Sequence, residues 1–422
     1  MSGPTMTKPS TSSEITRPNW PVLILAFIAV VLDGYDTIAL GLSVPALSDD
    51  WDVPTSHFTP ALSLTSLGVA LGYIAVGRLT ARFGCRHVIL AAVVAFTIGS
   101  LLTAWAGSII ELSALRLITG FGLGAVMPAA VAQATALNPV RHRQSIAVFV
   151  TMGISLGALI AGLAGSQMIN AFGWESVFIL GAVGSTLLLP FLWRWLPDER
   201  GMTGVAVASP RAKHDASVAR LFDPQVRRRT ILLWAFAFLV FSVFYIFSSW
   251  LPTLLTSYGF TKGLAPLGSA ALGVGSIIGA GVLILGARRF RMTSVLAGTT
   301  AVAIVFLVLS AFLGADKALL LVVFGGVGLG LQAGMIGQAA VAVSLYPQAT
   351  AVTGVGWASS MGRLGSVVGP IVGGALIGLG VSTSWIVLIA CVPVAAALLL
   401  VLALGRVQAR DAGTVSDATQ RL

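Results

Sequence analysis

The chain has 422 residues, of which 56% are hydrophobic and only 9% charged. An ordinary soluble domain is about 25% charged, and 25 basic with 15 acidic side chains could not screen this much apolar surface from water. A soluble enzyme, a secreted disulfide scaffold and a disordered chain are thereby excluded. So is a β-barrel, whose strands alternate apolar with polar residues instead of running continuously apolar.

The first 19 residues are polar and rich in Ser and Thr. The apolar run that begins at Trp20 is too long for the core of a cleavable signal peptide. A membrane helix needs about 20 apolar residues. On that measure spans are expected at 20–46, 60–79, 88–107, 110–135, 144–169, 175–195, 230–256, 264–286, 294–314, 318–344, 351–378 and 382–405. The expected fold is an all-α membrane protein with 12 transmembrane helices in two pseudo-symmetric six-helix halves. Its parts are an N-terminal tail (1–19), a first half (20–195), a linker loop (196–229), a second half (230–405) and a C-terminal tail (406–422). Of the 25 basic residues, 21 fall on the side of the tails and the linker, against Lys262 and Lys317 on the other side. The positive-inside rule then puts both termini in the cytoplasm. Arg227, Arg228 and Arg229 read as a membrane-edge anchor, not as a nucleic-acid patch. Cys85 in a loop and Cys391 in a span give no disulfide framework.

The halves repeat. Gly120-Phe-Gly-Leu-Gly124 matches Gly326-Val-Gly-Leu-Gly330, Pro139 matches Pro347, and Met152-Gly153 matches Met361-Gly362, at offsets of 206, 208 and 209 residues. Duplicated halves with a site at the midplane between them are a transporter arrangement. Gly153, Gly157, Gly162 and Gly165 in span 5, with Gly362, Gly365, Gly369, Gly373 and Gly374 in span 11, recur near helical spacing. Such small faces permit close helix packing and sliding.

Four ionisable residues sit deep in the expected spans: Asp33, Asp36, Arg116 and Arg363. A charge near the bilayer centre costs a few kcal/mol and usually faces a partner or a water-filled cavity. Asp33 and Asp36 are three residues apart on one helix face, about 20 Å from Trp20 along the axis. A carboxylate in an apolar cavity can exchange a proton near neutral pH, so these acids are candidates for proton coupling. Arg116 enters span 4 to a depth near that of Asp36. The two could pair, in a coupling role or as a structural ion pair. Arg363 lies about 18 Å into span 11, with no acid of its own half at that depth. A substrate carboxylate would supply the missing charge, clasped by the guanidinium fork. Pairing with Asp33 across the halves, or bonding to carbonyls, is the alternative.

Aromatic residues concentrate in span 7, at Phe241, Phe244, Tyr245, Phe247 and Trp250, and Trp357 lies six residues before Arg363. Tyr245, Trp250, Trp357 and Tyr35 are candidates to wall a ring-bearing acid, with packing against lipid as the competing explanation. Gln133, Gln332 and Gln338 need polar partners inside the membrane and are candidate ligand contacts.

In layout and motifs the chain resembles the major facilitator superfamily and, more narrowly, its aromatic acid/proton symporters. The resemblance rests on Leu32-Asp33-Gly-Tyr-Asp36-Thr in span 1 and Arg116-Leu-Ile-Thr-Gly-Phe-Gly-Leu-Gly124 with Pro128 in span 4. It continues with Ser249-Trp-Leu-Pro-Thr253 in span 7, and with Thr353-Gly-Val-Gly-Trp357 running on to Gly362-Arg-Leu-Gly365 and Gly369 in span 11. It implies a bacterial inner-membrane importer of benzoate-like or hydroxybenzoate-like acids. The importer would be driven by protons, without another cofactor, and would act as a monomer in the lipid bilayer. It also implies that Asp33 and Asp36 matter for transport and that Arg116 is the span-4 arginine of the superfamily. The superfamily's loop after span 2 usually carries an acid. Here the stretch is Gly77-Arg-Leu-Thr-Ala81-Arg82-Phe-Gly84-Cys85-Arg86, with Ala81 at the acid's position. Gly77, Arg82, Gly84 and Arg86 remain gating candidates, but the cytoplasmic latch lacks its acid, and Ala136 stands where relatives often carry Glu. The expectation is a protein that rests nearer to inward-open. Rival readings are a carrier of muconate or a dicarboxylate, and a proton-antiport drug exporter, against which Arg363 argues. His57, His87, His142 and His214 are scattered in loops, no metal cluster or nucleophile elbow is visible, and an enzyme is not expected.

Overall fold

The computed structural model describes residues 18–139, 142–198, 218–224, 226–313, 316–346 and 348–420. Pro347, His214 and most of the linker and the N-terminal tail lie outside the described residues. Twelve long helices carry the fold: α1 (Trp20–Asp50), α2 (Thr59–Phe83), α3 (Cys85–Thr103), α4 (Ile109–Ala136), α5 (Arg143–Phe172) and α6 (Glu175–Trp195), then α7 (Arg227–Ser257), α8 (Leu267–Gly286), α9 (Met292–Phe312), α10 (Lys317–Leu345), α11 (Gln348–Gly378) and α12 (Thr383–Gln420). All twelve contain a window long and apolar enough to cross a membrane. In lipid only a helix satisfies its backbone groups within its own segment, so these apolar runs have one regular structure open to them.

Short caps set the helix starts. The side chains of Asn19, Ser108 and Asp316 accept from the backbone N–H of Val22, Glu111 and Leu319, each serving an otherwise orphaned donor. Gly84 (φ 82°) ends α2 and starts α3 with no residue between. A side chain there would meet the steric penalty of the left-handed region.

The two halves have the same internal packing. In the first, α1 packs on α5 and α6, and α4 on α2 and α3; in the second, α7 packs on α11 and α12, and α10 on α8 and α9. Glycines bring the backbones together in both halves. A Cβ on Gly120 or Gly124 would strike the carbonyls of Thr65 or Val69 in α2, and one on Gly328 would strike Leu272 in α8. The same holds for Gly157 against Val31, and for Gly365 and Gly369 against Phe238 and Ser242. The repeated glycine motif is therefore the packing code of each half.

The halves meet through α5 with α8, α2 with α11, and α1 with α7. The end of the bundle that carries Trp20 and the last turns of α12 is called here the tail end, and the opposite one the far end. At the far end Asp49 and Lys262 form an ion pair. Gly374 of α11 packs against Thr59, Gly378 against Ser56, and Gly162 of α5 against Ala270 of α8. The halves are thus drawn together at the far end.

Several boundaries differ from expectation: α2 runs to Phe83, four residues past 79, and α3 stops at Thr103, four short of 107. Helix α1 runs to Asp50, four residues past the apolar stretch, where Trp51 packs on Trp174 and Phe58. Helix α12 continues to Gln420 through most of the expected tail. Polar residues there are compatible with helix but give no hydropathy signal.

Candidate functional site

Asp36 and Arg116 are almost fully removed from solvent. Arg116 Nη1 lies 3.3 Å from Asp36 Oδ2, and the side chains are 0% and 2% exposed. Three hydroxyls join the nest, while Arg116 Nε is buried without a hydrogen-bond partner among the described residues. Arg116 Nη2 donates to Thr103 Oγ1 at 2.8 Å, Thr119 Oγ1 at 3.2 Å and Ser100 Oγ at 3.3 Å, and Ser100 in turn donates to Asp36. The guanidinium also sits over the Phe178 ring, 5.1 Å from its centroid. Every contact is internal to the first half, so this pair ties α1, α3, α4 and α6 together.

Asp33, one turn earlier, has other neighbours. It accepts from Thr37 Oγ1 at 3.3 Å and feels the charge of Arg363 in the second half without forming an ion pair with it. The two acids share a stretch of helix but serve different halves of the problem.

Arg363 occupies the middle of α11 and points across the seam between the halves. Its guanidinium carbon stands 3.9 Å from the ring centroid of Tyr73 in α2, and Nη1 donates to Tyr245 Oη at 3.2 Å. Among the described residues no carboxylate forms an ion pair with it.

Tyr245 also borders a cavity of about 40 Å³ between the halves, which Arg363 itself does not border. The walls come from α1 (Gly34, Thr37, Ile38), α5 (Ile154, Ser155, Ala158), α7 (Phe244, Tyr245, Ser248), α8 (Ser269, Leu272, Gly273, Ser276) and Gln332 of α10. A cavity of this size holds a few waters, each needing about 10–15 Å³ of it, so an aromatic ring can enter only if the walls part. The lining includes the hydroxyl residues Thr37, Ser155, Tyr245, Ser248, Ser269 and Ser276, in a surface that is mostly apolar. Among the described residues Ser269 Oγ is buried without a partner, and Gln332, 7% exposed, borders the same cavity.

The residues expected at the site fall into two groups. Tyr245 and Gln332 border the cavity, with Arg363 and Asp33 behind them. Five others do not. Trp250 is 0% exposed and donates Nε1–H to the Pro370 carbonyl at 2.9 Å, pinning α7 to α11. Trp357 stacks on Trp234 at 5.6 Å, toward the tail end. Tyr35 turns to α6 and donates to the Val177 carbonyl at 2.8 Å. Gln133 donates to the Pro197 carbonyl at 3.0 Å, and Gln338 to Ser359 at 3.4 Å. Trp250, Trp357 and Tyr35 are engaged in local packing, which spacing alone does not distinguish from ligand contact, while Gln133 Oε1 and Gln338 Oε1 are buried without a hydrogen-bond partner among the described residues. Of the gating candidates, Arg86 donates to the Trp193 carbonyl at 2.6 Å and lies over that ring, while Arg82 lies over Phe83. These contacts stay within the first half. Gly84 is explained by its positive φ, and nothing lies within 4 Å of a Cβ added at Gly77.

Sequence reasoning passed over Tyr73, Thr37, Ser155, Ser248, Ser269 and Ser276. Uncharged polar residues do not stand out in an apolar span, although Tyr73 is one of only five tyrosines.

The matched family description is that of the Major Facilitator Superfamily, over residues 26–355. The chain belongs to this superfamily. A gallate transporter of Pseudomonas putida is 29% identical, over 95% of each chain. The 4-hydroxybenzoate transporter PcaK of Pseudomonas aeruginosa is 30% identical over 93% of this chain and 94% of the relative. A 3-(3-hydroxy-phenyl)propionate transporter of Escherichia coli is 31% identical over 85% and 87%. Among solved structures, a D-xylose-proton symporter superposes with a TM-score of 0.71 at 17% identity, covering 90% of this chain and 97% of the other. The nucleoside transporter NupG gives 0.73 at 15%, covering 92% and 99%. These two speak for the fold alone. Superfamily membership and twelve apolar helices make the chain a multi-pass transport protein of the bacterial inner membrane, and not an enzyme.

Proposed function

We propose that this protein imports an aromatic carboxylate together with protons, by rocking its two halves about the midplane cavity. The observation that carries the reading is Arg363: a cation at the middle of the bundle, held by two tyrosines and unpaired with any acid among the described residues. A desolvated guanidinium needs a counter-charge, and a substrate carboxylate provides one in bidentate geometry. The relatives named for gallate, 4-hydroxybenzoate and 3-(3-hydroxy-phenyl)propionate support the ring-bearing class. The tail end faces the cytoplasm by its basic residues.

The cavity lining narrows the class. Ser155, Ser248, Ser269 and Gln332 are suited to bond ring hydroxyls, and a site built to bond a hydroxyl discriminates against the analogue that lacks it. A hydroxylated ring is therefore preferred to plain benzoate. Asp33, in electrostatic reach of Arg363, is the acid placed to carry the proton, and Asp36 with Arg116 forms the structural nest beside it. One proton moving with one monoanion is electroneutral and worth about 1.4 kcal/mol per pH unit. Any further proton adds about 2.3 kcal/mol per 100 mV.

The test is uptake by proteoliposomes of labelled benzoate, 4-hydroxybenzoate, protocatechuate, gallate, muconate and succinate, with and without an inward proton gradient. Gradient-driven uptake of hydroxylated benzoates is expected. Uptake of succinate or muconate alone, or of none of the acids, contradicts the reading.

A further inference from the structure

We propose that Tyr73 is a positioning residue that presents the edge of the Arg363 guanidinium to the substrate from the opposite half of the molecule. The inference rests on the reading of Arg363 as the carboxylate's partner. Tyr73 belongs to α2 and Arg363 to α11, which meet across the seam between the halves. At 3.9 Å from the ring centroid, the guanidinium carbon is well inside the roughly 6 Å range of a cation–π contact.

The chemistry explains why a ring is used there and not an acid. A carboxylate at this position would occupy the same N–H fork that a substrate carboxylate needs. A ring stabilises the cation through its face and leaves the edge donors free. Of those donors Nη1 bonds Tyr245, and the Tyr73 hydroxyl is also within hydrogen-bond reach of the guanidinium. The ring is itself held in place. Tyr73 Oη donates to Met127 Sδ at 3.3 Å, and the adjacent Gly72 packs against the Phe121 carbonyl of α4. The phenol hydroxyl is within hydrogen-bond reach of both Met127 and Arg363, and the ring face meets the guanidinium. Because ring and guanidinium belong to different halves, the contact is made or lost as the halves move.

The proposal is tested by kinetics on Tyr73→Phe, Tyr73→Leu and Tyr73→Met, reconstituted as full chains, with labelled 4-hydroxybenzoate. Tyr73→Phe keeps the ring and is expected to hold KM within about threefold of wild type. Leu and Met remove it and are expected to raise KM about tenfold while changing maximal rate less. A purely structural role would lower the maximal rate in all three without this split. Equal KM across the set, or Phe as impaired as Leu, overturns the proposal. A second readout stands apart from transport: a double-mutant cycle of Tyr73→Leu with Arg363→Met on the thermal midpoint of the purified protein. Non-additive midpoints are expected, and additive ones overturn the contact. If the wild type carries no aromatic acid, the functional reading fails, and this cycle alone decides whether Tyr73 holds Arg363.

Discussion

At the scale of single residues, the two arginines inside the helix bundle solve the same problem in opposite ways. Arg116 is paired with Asp36 and bonded to three hydroxyls, whereas Arg363 has a ring face and phenol oxygens and no carboxylate pair among the described residues. Removing one partner of a buried ion pair typically costs about 3–5 kcal/mol. Asp36→Ala should therefore lower the thermal midpoint of the purified protein sharply, and adding Arg116→Met should recover part of the loss. Equal stability of Asp36→Ala and wild type would contradict the structural role of the pair. At the cavity, Gln332→Ala should reduce the preference for gallate over benzoate by about tenfold, measured as a ratio of kcat/KM values, with little effect on benzoate itself. The charged residues were legible in the sequence because a charge within an apolar run is expensive and conspicuous. Their neighbours were not. Which way Trp250, Trp357 or Tyr35 points depends on the rotation of each helix about its axis, and a hydroxyl such as Ser269 leaves no trace in hydropathy.

At the scale of helices, glycine determines how close the backbones come. Gly124 abuts the Val69 carbonyl of α2, while a Cβ at Gly77 meets nothing within 4 Å. Gly124→Leu should thus abolish folded protein in detergent, and Gly77→Ala should leave yield and thermal midpoint near wild type. Size-exclusion profiles of the two variants distinguish the cases, and the reverse pattern would contradict the packing described. The helices themselves, their number and the duplicated glycine motif could be read directly, since apolar run length and small-residue spacing are one-dimensional properties. The ends could not: Asp50 and the helical stretch after Gly405 are set by aromatic contacts and by helix propensity in polar sequence.

At the scale of the whole molecule, the two halves close on one another at the far end. Asp49 with Lys262, Ser56 with Gly378 and Thr59 with Gly374 all bridge the halves there. At the tail end Ala81 stands where the superfamily usually carries an acid, and Arg86 engages Trp193 within the first half. A double cysteine variant at Asp49 and Lys262 should form a disulfide without ligand and should block uptake reversibly on oxidation. Failure to cross-link in the absence of ligand would contradict a far-end-closed resting form. The most direct test of Arg363 as the anion's partner is uptake of labelled 4-hydroxybenzoate by proteoliposomes under an inward proton gradient, wild type against Arg363→Ala, with thermal midpoints recorded for both. The account predicts gradient-driven uptake by the wild type and its loss in a variant that still folds. Uptake surviving Arg363→Ala with unchanged KM would contradict it and move the anion away from α11.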